Sequence, residues 1–196
     1  MSKNKLLAAF LFFSFLLVIL MQISCNKSEK PEMTKEEMVI RGAYLVTLGG
    51  CNHCHSPKIM TDMGPVPDTT RLLSGHPADA KLLPVDTSMV QMGKWILTTD
   101  DLTAWVGPWG ISYPVNLTPD EPTGIGTWTD EVFIKALRTG KHMGIGRPTL
   151  PPMPWADIAK STDEDLKAIF AYLKSLPPVR NKVPDPVPPN QLMAKK

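Results

Sequence analysis

The chain has 196 residues, with 21 Lys and Arg against 19 Asp and Glu, 20 prolines, 13 glycines and three cysteines. That length allows one ordinary domain with appendages, and a charge balance this close to neutral gives no electrostatic basis for nucleic-acid binding. So much proline and glycine makes much of the chain loop, and a small loop-rich domain buries a limited share of its surface unless something else fills its centre.

Lys3 and Lys5 precede an almost unbroken apolar run from Leu6 to Ile23 that ends in Ser24-Cys25. These are the positive and apolar regions of an export signal. A cysteine directly after them resembles the bacterial lipoprotein signal, in which that cysteine is diacylated and becomes the mature N-terminus. Gln22 departs from the Leu usual three places before the cysteine. The expectation is a signal peptide over residues 1–24, a lipid anchor on Cys25 and a domain held on a membrane in the periplasm or cell envelope. An apolar stretch of about 18 residues also suits an uncleaved transmembrane anchor. Loss of Lys3 and Lys5 would leave basic and acidic side chains in balance. Residues 25–33 are polar and read as a tether.

The folded domain is expected over residues 34–180. Thr34-Lys35-Glu36-Glu37 has the form of a capping box, apolar residues follow at helical spacing, and Gly49-Gly50 stops them. This predicts a helix of about 14 residues leading straight to Cys51. Gly42 within it costs roughly 1 kcal/mol relative to Ala unless the missing side chain is used, as close packing of another helix would use it.

Cys51-Asn52-His53-Cys54-His55 has the Cys-x-x-Cys-His pattern of covalent haem c attachment. Two thiols at this spacing match the two vinyl groups of the macrocycle, and the following histidine offers a neutral imidazole to the iron. A thioredoxin-like pair would need a βαβ setting, a structural zinc site further ligands nearby, and a plain disulfide would leave His55 without a role. With no second such motif in the sequence, one covalent haem is expected.

Residues 56–115 carry turn signals such as Met63-Gly64-Pro65 and Ser74-Gly75-His76-Pro77, and one strand-like run, Lys94 to Thr99. Trp95, Trp105, Trp109 and Trp128 fall within 34 residues and are expected to serve as loop core, the alternative being a wall over the haem edge or a docking surface for a partner. Asn116-Leu117-Thr118 matches a glycosylation sequon and is read as a chance match. Thr129 caps a predicted helix over Asp130 to Thr139, which Gly140 ends. Thr162 and three acidic residues open a last helix, with Leu166, Ile169, Phe170 and Leu173 on one stripe until Pro177-Pro178. The Pro-rich tail over residues 181–196 is expected to be disordered.

The capped helix before Cys-x-x-Cys-His, together with a terminal Asp-Leu-Lys-Ala-Ile-Phe-Ala-Tyr-Leu, resembles the first and last helices of a class I cytochrome c. The stretch Asn-Leu-Thr-Pro-Asp through Thr-Gly-Ile-Gly-Thr-Trp, from Asn116 to Trp128, resembles bacterial cytochromes c that serve as relays or subunits of periplasmic dehydrogenases. The resemblance implies a mainly α, class I cytochrome c fold with a long Pro/Gly/Trp-rich insertion after the haem-binding helix. It implies helices crossing near Gly42, with Tyr44 and Tyr172 at the crossing. It further implies an axial methionine between the last two helices, where Met153 stands in the stiff run Pro151-Pro152-Met153-Pro154. His76, His142 and Met143 are the other candidates for that ligand, and Arg147 and Trp128 are candidate propionate donors. The function expected is one-electron transfer between redox partner proteins, alone or as the electron-accepting subunit of a dehydrogenase. An open sixth position would instead suit a gas sensor.

Overall fold

The structure is a computed structural model and describes residues 12–15 and 32–193. The chain divides into two compact units, residues 1–33 and Thr34–Lys196. Cys25, most of the signal segment and the tether lie outside the described residues; within the first unit, residues 12–15 are helical. Among the described residues no helix is long and apolar enough to cross a membrane.

The second unit opens with α1, Lys35–Leu48. Its capping box is complete, since the Glu37 amide donates to Thr34 Oγ1 at 3.2 Å and the Thr34 amide to Glu37 Oε2 at 2.8 Å. The motif forms a short helix α2, Cys51–His55, entered through Gly50 at φ 64°, a left-handed backbone that glycine adopts without strain. Helix α3 spans Asp130–Thr139 and ends on Gly140, also left-handed at φ 62°. After a 3-10 turn, His142–Gly144, come the short α4, Trp155–Ile158, and then α5, Asp163–Ser175. All three helices expected from capping and periodicity are therefore present.

Helices α1 and α5 cross at Gly42. A side chain there would meet the Ala168 carbonyl and lie 2.7 Å from Tyr172 Cβ, so hydrogen is the only substituent the crossing admits. Tyr172 is at the crossing and packs on the main core. Tyr44 is not, because α1 turns it to solvent, where it is 63% exposed. The core between the helices is Val46, Leu73, Ile125, Phe133, Phe170 and Leu173. The Phe133 and Phe170 rings lie 5.0 Å apart, a separation at which aromatic pairs add to simple burial. Leu166, with no exposed surface, anchors the α5 stripe, and fully burying such a side chain is worth roughly 1.5–3 kcal/mol.

The insertion has its own small centre. Strands β1, Lys58–Thr61, and β2, Gly64–Pro67, form one hairpin; β3, Leu97–Thr98, β4, Trp105–Gly107, and β5, Gly110–Ser112, form an antiparallel three-stranded sheet in that order. The strand expected from Lys94 is thus reduced to two residues, with Lys94, Trp95 and Ile96 exposed beside it. Val90, Val106 and Ile111 make a second cluster. The tail is docked upon it rather than disordered: Val187 exchanges backbone hydrogen bonds with Ile111 at 2.8 and 3.0 Å, Val187 and Leu192 cover the cluster, and α6, Pro189–Met193, follows. Gly110, at φ 96°, lets Val187 approach where any side chain would collide with it. Trp105 and Trp109 are half-buried, their indole N–H groups donating to Leu102 O at 2.8 Å and Ser112 Oγ at 3.2 Å, as loop-core residues would. Trp95 stands apart, 66% exposed on a shallow groove whose lining includes Met92, Ile96 and Trp109 and no residue of the motif.

Candidate functional site

Helix α2 presents Cys51, Cys54 and His55 within a single turn and a half, and both thiols are unpaired. Burial pushes both thiols up from their ordinary value. Among the described residues no group of three or more His, Cys, Asp or Glu side chains could hold a bare metal ion.

His55 is buried, 8% exposed, and its Nδ1 lies 2.8 Å from the Val115 carbonyl. A carbonyl only accepts, so Nδ1 carries the proton and Nε2 keeps its lone pair. Burial also pushes the imidazole pKa down, with the Val115 bond opposing and the Lys58 charge assisting. A neutral imidazole, oriented by a hydrogen bond at one nitrogen and free to donate electrons from the other, is the usual form of a histidine ligand. The donor set therefore fits covalent haem: two unpaired thiols at the spacing of the vinyl groups, and a ligand-ready imidazole next in sequence.

The surroundings of His55 are fixed by backbone groups. Its carbonyl accepts from the Gly75 amide at 2.7 Å. Ser56 Oγ accepts from the Leu73 amide and donates to Asn52 Oδ1, both at 2.8 Å. Leu73 has a left-handed backbone, φ 58°, which costs a branched residue on the order of 1–3 kcal/mol. It is held there by burial, by Ser56 and by the Leu117 amide donating to its carbonyl at 2.8 Å.

The segment that supplies Val115 also reaches the loop bearing Met153. Ser112 Oγ donates to the Pro151 carbonyl at 2.6 Å, two residues before Met153, which is half-buried with its amide bonded to Leu150 O at 3.3 Å. One stretch, residues 112–115, thus braces both the His55 side and the Met153 side. The other ligand candidates stand elsewhere. Met143 is 44% exposed on a left-handed backbone, and His142 is exposed, edge-on to Trp128 at 5.4 Å. His76 is buried in the insertion, its ring 4.7 Å from Tyr113. Its Nδ1 lies 2.8 Å from Thr103 Oγ1, whose own proton goes to Asp101 Oδ2 at 2.7 Å, so His76 must be the donor in that bond. His53 is exposed, Arg147 is exposed, and Trp128 packs on the main core.

Two features were not foreseen from sequence. The Asn116 amide group donates to Val179 O at 2.8 Å, and Asn181 Nδ2 donates to Ser74 O and His76 O at 2.7 and 2.8 Å, strapping the chain beyond α5 to the segments around His55. Asn116 is 3% exposed, which closes the apparent sequon to glycosylation in the folded protein. Lys58, beyond the motif, is the other. Asn116, two residues before Thr118 and accepting from its amide and hydroxyl, carries a turn signal, but the partners of the strap are backbone carbonyls that leave no trace in a sequence.

A motif helix with two unpaired thiols and an oriented histidine has the donor set of a cytochrome c-type site, and the relatives of the chain include cytochrome c subunits. No family model matches the chain. It is 31% identical over 147 residues, 75% of its length, to a nicotinate dehydrogenase subunit of Pseudomonas putida, covering 9% of that protein. It is 32% identical over 72% of its length to the gluconate 2-dehydrogenase cytochrome c subunit of Pantoea cypripedii, and 41% identical over 40% of its length to the alcohol dehydrogenase (quinone) cytochrome c subunit of Gluconobacter oxydans. The chain spans less than a quarter of the length of each of these relatives. The likenesses support a cytochrome c-type family for this chain.

Proposed function

We propose that the chain is a membrane-tethered, monohaem cytochrome c of class I fold that accepts electrons as the cytochrome subunit of a dehydrogenase complex outside the cytoplasm. The observation that carries this reading is His55, buried in the motif helix with Nδ1–H on the Val115 carbonyl and Nε2 free. The relatives point to the subunit role rather than to a free carrier, since those matched include cytochrome subunits of gluconate, alcohol and fructose dehydrogenases.

Bound haem supplies one-electron chemistry. The protein's part is to hold it and set its environment. Cys51 and Cys54 would form the thioethers, His55 would ligate one face through Nε2, and Met153 the other through its thioether sulfur. Pro151, Pro152 and Pro154 restrict the backbone around Met153, so that a weak ligand is held in place by its loop. A methionine in this position raises the potential relative to a second histidine. Acylation of Cys25 would keep the domain at the membrane beside its donor. Arg147 and Trp128 are the side chains proposed to meet the propionates.

The axial assignment is tested by the visible spectrum of the oxidised Met153→Ala protein. Loss of the weak long-wavelength band between methionine sulfur and ferric iron is expected; an unchanged band would remove Met153 from the site. Rapid carbon monoxide binding by the reduced wild-type protein would point instead to an open position and a gas-binding role.

A further inference from the structure

Lys58 begins β1, three residues beyond His55, yet its side chain turns back under the motif helix. Its Nζ donates to the carbonyls of Ser56 at 2.5 Å, His53 at 2.8 Å and, more weakly, Asn52 at 3.4 Å, and to Asp101 O at 3.1 Å in the insertion. The carbonyls of Asn52 and His53 belong to a five-residue helix, too short to satisfy them internally. The ammonium is half-buried, so solvent screens it less than an exposed lysine.

We propose that Lys58 is a positioning residue for the haem site, clamping the C-terminal end of the motif helix to the insertion and placing a fixed positive charge that favours the reduced iron. The proposal rests on the covalent-haem reading of Cys51, Cys54 and His55. Its physical basis is the sign of the charge: oxidation adds a positive charge at the iron, and a nearby cation in a partly desolvated place makes that less favourable. The geometry places that charge against the motif helix itself, on the carbonyls of Asn52, His53 and Ser56, the residues that flank Cys54 and His55. Asp101 faces Lys58: its carboxylate, held ionised by the Thr99 hydroxyl at 2.6 Å and the Thr103 hydroxyl at 2.7 Å, opposes the burial that pushes the Lys58 pKa down and keeps the ammonium charged, while its backbone carbonyl takes one of the ammonium's hydrogen bonds. Lysine suits this role because one compact head with three protons can serve several carbonyls at once.

The test is a potentiometric titration of the full chain, produced with covalent haem, as wild type, Lys58→Met, Lys58→Gln and Lys58→Arg. In both neutral variants the ratio of reduced to oxidised protein at a fixed ambient potential should fall about three- to tenfold, a tenfold change being about 59 mV for a one-electron couple. Lys58→Arg should stay within about twofold of wild type, and the oxidised spectra should match, showing that ligation is intact. A neutral variant with the wild-type ratio, or an arginine variant that falls as far as the neutral ones, would overturn the proposal. Failure of both neutral variants to retain haem while Lys58→Arg retains it supports the clamp. Wild-type protein without covalent haem overturns the parent reading itself, an outcome visible before any titration.

Discussion

The helical half of the domain and the insertion with its tail are held by different physics. Helices α1, α3 and α5 meet through apolar stripes, with Phe133, Phe170 and Leu173 in one continuous core and Gly42 as the contact point. Residues 56–115 have a second, smaller cluster, and depend on polar side chains bonded to distant backbone: Lys58 to Asp101, Asn181 to Ser74 and His76, Asn116 to Val179. Helices bring their own hydrogen bonds, whereas a loop must find a partner for each buried amide and carbonyl. The site sits where the two regimes meet, the motif helix delivered by α1 and the His55 ring held by the insertion's Val115.

The contrast can be broken from the helical side. Gly42→Val drives a branched side chain into the Ala168 carbonyl and Tyr172, and should cost about 3 kcal/mol. The urea midpoint should fall with an unchanged slope, and a midpoint within error of wild type would show that the helices do not meet there.

From the other side, Asn181→Ala leaves the carbonyls of Ser74 and His76 without their donor and should cost about 2 kcal/mol. Hydrogen exchange should quicken around residues 74–78 and 179–193 while α1 and α5 keep their protection. Equal loss everywhere would mean that the two regions unfold as one.

The smallest effect is a pH dependence. Burial pushes the His76 pKa below its ordinary value, against the opposing pull of Asp101, Thr103 and Asp79. Below about pH 6.5 the unfolded chain therefore binds a proton that the folded protein resists, so stability should decline with acid from that point and be flat above it. His76→Gln should remove this part of the slope; an identical slope in the variant would assign it to another group.

How much was legible in the sequence follows the same division. Thr34, Thr129 and Thr162 mark helix starts because a capping hydroxyl is a local device, and Cys51 to His55 announces its chemistry because the spacing is set by a rigid ligand. Gly42 could be flagged as needing a close neighbour, and Ala168 and Tyr172 supply it. Tyr44 departs from the resemblance because the turn of α1 carries it away from the crossing and leaves it exposed. Proline-rich composition points to a disordered tail because it says nothing of Gly110, which lets Val187 approach and pair with Ile111. The tether of His55 was invisible for a simpler reason: Val115 contributes a backbone carbonyl, which every residue has.

The central claim is that Cys51 and Cys54 hold haem covalently with His55 beneath the iron. Its most direct test is intact-mass measurement, with a haem stain after denaturation, on the full chain made in a host able to attach haem c. The account predicts one haem per chain that survives denaturation, and none on the Cys51→Ala/Cys54→Ala variant. Folded wild-type protein recovered from such a host with no covalent haem would contradict it.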